Sequence, residues 1–213
     1  MEKIYFDVDT YIWKCKVNKL DDKQSLLNEA YATINLSTNN KSDAYNYKHF
    51  GIRNLDFMGN IEVTSKLDEI MQFGIDVCKE LYVETNLKYN KINTDSWVNV
   101  VKSINPLQPN FYSEDNKYHT HTEISEKTDS FVPKYTYVYY IQMPDVMNGE
   151  DGVLYFKSKN DNEYWIRPEE DDLIIMEGDV PHHPNNAPKS TIDRIVLAGN
   201  VGFELIKNKK SII

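Results

Sequence analysis

The second half of the sequence breaks into short apolar or alternating runs separated by turn residues, and this texture limits the fold more than any other feature. SWVNVVKSI, YTYVYYIQMP, GVLYFKS, EYWIRP, DDLIIMEG and DRIVLAGNVGFEL follow one another between Ser96 and Leu205. Runs of that length with Gly, Pro, Asp and Asn between them pair as antiparallel strands of a sandwich or barrel, not as βαβ units. The first half reads differently. Ile4, Phe6 and Val8 alternate with Tyr5, Asp7 and Asp9 as a strand does, Asp22 to Ile34 reads as a helix, and STNNKSDAYNYKHFG (37–51) reads as a polar loop. Within Val63 to Val83, Leu67, Ile70, Met71, Gly74, Cys78 and Leu81 recur at spacings of three and four. That is an amphipathic helix with one buried stripe, suited to packing on a sheet. The expectation is a single α+β domain over 1–213: an N-terminal strand and supporting helices in 1–94, a β core in 95–206, and a frayed KNKKSII tail.

Composition sets outer limits. A chain of 213 residues buries roughly 70% of its unfolded surface, so its stability requires neither a disulfide nor a structural metal. Cys15 and Cys78 are far apart and outside any CxxC pattern, which removes zinc ribbons and disulfide scaffolds. With 33 acidic residues against 24 Lys plus Arg and a net charge of −9, extended binding to a phosphate backbone is not expected. MEKIYFDVDTYIWKCK carries acids where a signal peptide needs an apolar core, and no long apolar run occurs. The expected location is the cytoplasm, without membrane association.

The chemistry concentrates in the histidines. Of five, four fall in two doublets of the β block: Tyr118-His119-Thr120-His121-Thr122-Glu123 and Pro181-His182-His183-Pro184. On extended chain, residues i and i+2 share a side, so His121 can present an imidazole and Glu123 a carboxylate to one point, with His119 in the same register. A third imidazole from His182 or His183 would complete a facial set of two histidines and one carboxylate, the pattern of non-haem Fe(II). The bland alternative is a pair of solvated polar turns, and His49, in the polar loop, reads as a solvated side chain. Arg194 heads the apolar strand that follows the second doublet. Its guanidinium either pairs with Asp193 or a nearby acid, or meets a dicarboxylate ligand with its planar fork.

Together, HTHTE, YVYYIQMP, GVLYFKS and DDLIIMEGDVPHHPNNAPKSTIDRIVLAGNVGFE resemble the Fe(II)/2-oxoglutarate-dependent dioxygenases, most of all the small prolyl-4-hydroxylase-like type of bacteriophages and bacteria. The resemblance covers Trp97 to Glu204. It implies a double-stranded β-helix (jelly roll) buttressed by N-terminal helices, with Fe(II) and 2-oxoglutarate as cofactors and hydroxylation of a substrate with release of succinate and CO2. It assigns His121, Glu123 and His182 to the metal, with His183 as the other candidate for the distal place and His119 for that of Glu123. Arg194 takes the C5 carboxylate of 2-oxoglutarate. Val196 stands where a hydroxyl residue is often found, so a tyrosine is expected to complete that site: Tyr139 is chosen, with Tyr137 and Tyr140 as alternatives.

The resemblance leaves the substrate open, as a small molecule or a peptide, and the polar stretches Ser37 to Phe50 and Ser125 to Lys134 have the length of lids. A phage origin would put the protein in the host cytoplasm. Two other readings remain: a cupin-like metal enzyme that does not use 2-oxoglutarate, and a non-catalytic β-sandwich protein.

Overall fold

The computed structural model describes residues 1–17, 22–37, 45–101, 118–122, 131–145, 147–185, 187 and 189–206. The strands are β1 (Glu2–Tyr5), β2 (Tyr11–Lys16), β3 (Tyr45–Asp56), β4 (Tyr89–Val101), β5 (Tyr135–Gln142), β6 (Leu154–Lys157), β7 (Glu163–Ile166), β8 (Asp172–Glu177), β9 (His182–Pro184) and β10 (Arg194–Leu205). The helices are α1 (Lys23–Ser37) and α2 (Lys66–Val83). Seven strands form one sheet in the order β1-β2-β8-β5-β10-β4-β3, and three form a second in the order β7-β6-β9. All paired strands are antiparallel. Two sheets facing each other with helices on the outer face of the larger make the α+β jelly roll.

Strand alternation sorts side chains into two cores. On β5, Tyr135, Tyr137, Tyr139 and Ile141 face the helices, joined by Ile195, Leu197 and Val201 of β10. Tyr140 and Val196 face the other way, toward Leu154, Phe156, Ile174 and Met176 between the sheets. The α2 stripe is buried at Leu67, Ile70, Met71, Gly74, Ile75, Cys78 and Leu81. Each full-length aliphatic side chain in it contributes about 1.5–3 kcal/mol. The helix starts where Ser65 accepts from the Asp68 N–H and the Asp68 carboxylate accepts from Ser65 and Thr64, a reciprocal cap. Glu29 of α1 accepts from the Lys66 and Leu67 amides, tying the helices together. Gly74 is required by close approach: a Cβ there would lie 2.9 Å from the Tyr137 ring.

The N-terminal block contributes more sheet than expected. It supplies β1, β2 and β3, and the 94/95 boundary falls inside β4. The second half of the expected loop 37–51 is β3, an edge strand bulged between His49 and Ile52 at Gly51, whose φ is +83°. A polar edge strand carries no apolar alternation, which is why the pattern read as loop. No helix among the described residues is long and apolar enough to cross a membrane. Glu123, the 125–130 part of the second lid stretch and the tail from 207 lie outside the described residues.

Candidate metal and carboxylate site

The first histidine doublet meets the second at a single pairing. The His119 N–H donates to the His182 carbonyl at 3.2 Å, and the return bond measures 3.1 Å, which lays the 119–121 segment beside β9. The His121 N–H donates to the Gly178 carbonyl at 3.0 Å. The result is a trio of rings with centroids 4.5 Å apart for His119 and His182, 5.1 Å for His121 and His182, and 5.4 Å for His119 and His121. One ring nitrogen of each lies within 4.8 Å of the others. Glu123 is outside the described residues, so the convergence seen here is of three imidazoles.

Burial keeps the His121 and His182 rings neutral. It pushes the His121 imidazole down to about 3, with His119 acting in the same direction. His182 is held well below the usual imidazole value by burial and then by its two neighbours. A neutral ring is what a metal needs, because only an unprotonated nitrogen can ligate. The Nδ1 of His182 lies 3.0 Å from the Val180 carbonyl; with the proton assigned to Nδ1, Nε2 carries the lone pair. The Trp97 ring stacks on His121 at 5.5 Å.

His183 goes elsewhere. Adjacent residues on a strand face opposite sides, and its ring stacks on Tyr155 at 4.6 Å and meets Tyr118 edge-on at 4.7 Å, 2% exposed.

Beside the trio lies a cavity of about 230 Å³, lined among others by Trp97, His119, His121, His182, Tyr140 and Arg194. Arg194 is buried, at 5% exposure. Its Nη1 donates to the Asn185 carbonyl at 2.9 Å, while Nε has no hydrogen-bond partner. Among the described residues no carboxylate pairs with it. Asp193 instead accepts from the Tyr31 hydroxyl at 2.9 Å, and its carbonyl accepts from Gln142. A buried cation without a counter-charge is costly unless a ligand supplies one.

The tyrosine choice needs correction. Tyr139 points into the helix-side core, where its hydroxyl donates to Asp171 at 2.7 Å, and Tyr137 pairs with Ser96 at 2.9 Å on that same side. The one that lines the cavity is Tyr140; the parity of the strand, invisible until its register is known, decides this. Burial raises its hydroxyl, with Arg194 pulling the other way, so it stays protonated and can donate. Asp95, Trp97 and Asn99 of β4 and His49 of β3 also line the cavity and were missed. The alternation of Asp95, Trp97 and Asn99 in DSWVNVV was the available signal.

No family model matches the sequence, and no curated protein matches it. Solved structures do. IDO from Bacillus thuringiensis aligns over 90% of each chain with a TM-score of 0.58 at 11% identity. A Pseudomonas putida prolyl-4-hydroxylase aligns over 91% of this chain and 92% of its own with a TM-score of 0.55 at 13% identity. A 2OG-Fe(II) oxygenase family oxidoreductase from Burkholderia pseudomallei aligns over 90% and 84% with a TM-score of 0.53 at 8% identity. The chain has the double-stranded β-helix fold of the 2-oxoglutarate- and Fe(II)-dependent oxygenases.

Proposed function

We propose that the protein is an Fe(II)- and 2-oxoglutarate-dependent oxygenase that hydroxylates a small-molecule or peptide substrate. The observation that carries the reading is Arg194, a buried guanidinium without a carboxylate partner among the described residues, lining the same cavity as three converging imidazoles. Both groups fit the residues present: the donors suit a divalent metal with open positions, and the orphaned Nε suits a dicarboxylate.

Bound Fe(II) and 2-oxoglutarate supply the oxidation with O2, releasing succinate and CO2. The chain supplies ligation, orientation and exclusion of water. His121 and His182 offer nitrogens kept unprotonated by burial. The third place has two claimants: Glu123, proposed from the sequence pattern, and His119, which the ring geometry supports. Arg194 receives the far carboxylate, held in place by the Asn185 carbonyl, and the protonated Tyr140 hydroxyl offers a further donor. Val138, Leu154, Val196 and Ala198 add an apolar patch to the cavity wall.

A three-imidazole set also suits metal enzymes that do not use 2-oxoglutarate, and that is the second reading. The experiment that separates them loads the purified protein anaerobically with Fe(II), adds 2-oxoglutarate and O2, and follows succinate. Metal-dependent succinate formation supports the oxygenase. Tight metal binding without 2-oxoglutarate binding or turnover supports the alternative.

A further inference from the structure

The cavity floor is polarised along its length. Arg194, Val196, Ala198 and Asn200 alternate onto it from β10, and the register sets Val196 beside Asn99, Ala198 beside Trp97 and Asn200 beside Asp95. Arg194 and Asn200 are separated by about 20 Å of strand. The guanidinium therefore occupies one end of the face and the Asp95 carboxylate the other, with Trp97 and the imidazoles between them. Arg194 is the one Lys or Arg in the lining among the described residues.

Asp95 is held by His49. Its Oδ1 lies 3.3 Å from Nδ1 of His49, with the Asp95 side chain 20% exposed; its second oxygen makes no hydrogen bond among the described residues. The Trp97 ring, two residues on and on the same face, lies 5.3 Å from His49 and 5.5 Å from His121. Asn200 spends its side-chain oxygen on the Thr136 hydroxyl at 2.8 Å, so its remaining polar group there is the amide NH2. A carboxylate at the end of the cavity opposite the guanidinium selects a cation over a neutral or anionic group.

We propose that the Asp95 end of the cavity recognises the substrate through a primary ammonium group, making small cationic amines the substrate class. The inference rests on the oxygenase reading above, which assigns the Arg194 end to 2-oxoglutarate.

The test uses full-length protein loaded with Zn(II), a redox-inert stand-in, and saturated with 2-oxoglutarate. Pentylammonium, pentan-1-ol and pentanoate, which differ only in the end group, are titrated by ligand-observed NMR. The expected result is pentylammonium binding at least about ten-fold more tightly than pentan-1-ol, with pentanoate weakest. Asp95→Asn, checked by circular dichroism, should bring the first two within about two-fold of each other. Equal affinities in the wild type, binding of none of the three, or a preference that survives Asp95→Asn overturns the proposal. The wild-type comparison stands even if the variant misfolds. Failure of the wild type to take up Zn(II) or 2-oxoglutarate, read in the first steps of the same titration, overturns the oxygenase reading itself and this inference with it.

Discussion

His182 and His183 are adjacent in sequence and serve opposite faces of β9: the first joins the ring trio with His119 and His121, the second is clamped between Tyr155 and Tyr118. Their substitutions should therefore part company. His182→Ala is expected to lose stoichiometric metal at modest cost in stability. His183→Ala is expected to keep metal and to lower stability by about 2–3 kcal/mol through lost aromatic contact and a cavity. Metal content by elemental analysis beside urea unfolding checks both, and the reverse pattern would mean that the faces have been exchanged.

The third metal ligand is decided by a second pair. His119→Ala should reduce metal affinity by about ten-fold or more, while Glu123→Ala should have a smaller effect if the ring geometry governs the set. Competition with a chelator gives both affinities. A larger loss with Glu123→Ala would return the carboxylate to the site.

The sheet is keyed to the helices by Tyr137. A Cβ at position 199 would lie 2.5 Å from the Tyr137 ring, and that ring is fully buried with its hydroxyl on Ser96, so it has nowhere to retreat. Gly199→Ala should destabilise by about 1–3 kcal/mol, the range for overpacking a dense core. A shift of the urea midpoint without a change in slope is the expected signature.

Much of this was legible in the residues. The spacing of Leu67, Ile70, Met71, Gly74, Cys78 and Leu81 marks α2 because a helix packed on one side must repeat every three to four residues. The β texture after Ser96 is equally plain, and the histidine doublets with Arg194 mark the region of the site. Parity was not legible. Choosing Tyr139 over Tyr140 is an error of one residue, but on a strand one residue changes which core the ring enters. The edge strand β3 escaped because its residues need satisfy only one neighbour. His49 and Asp95 are 46 positions apart and become neighbours only through the pairing of β3 with β4.

A pH effect follows from the loop that leads into Arg194. The Asp145 carboxylate accepts from Ser190 Oγ at 2.6 Å, Thr191 N at 2.8 Å and Thr191 Oγ1 at 2.6 Å, and these bonds hold it well below its ordinary value of 3.8. A carboxyl depressed in the folded state stabilises it above the unfolded value and loses that contribution as pH falls through the folded one. Wild type should therefore be more stable than Asp145→Asn at pH 7, with the gap closing as the solution is taken below pH 3.8. Urea midpoints across that range measure it, and a gap independent of pH would remove the charge from the explanation.

The most direct measurement of the central claim is calorimetric titration of 2-oxoglutarate into Zn(II)-loaded wild type and Arg194→Met, a change that keeps much of the side-chain volume and removes the charge. Removing one member of a buried charge pair costs about 2 kcal/mol or more. The account predicts 2-oxoglutarate binding in the wild type and a loss of about 30-fold or more in the variant, with metal retained. Equal affinity in the two proteins, or no binding in the wild type, would contradict it.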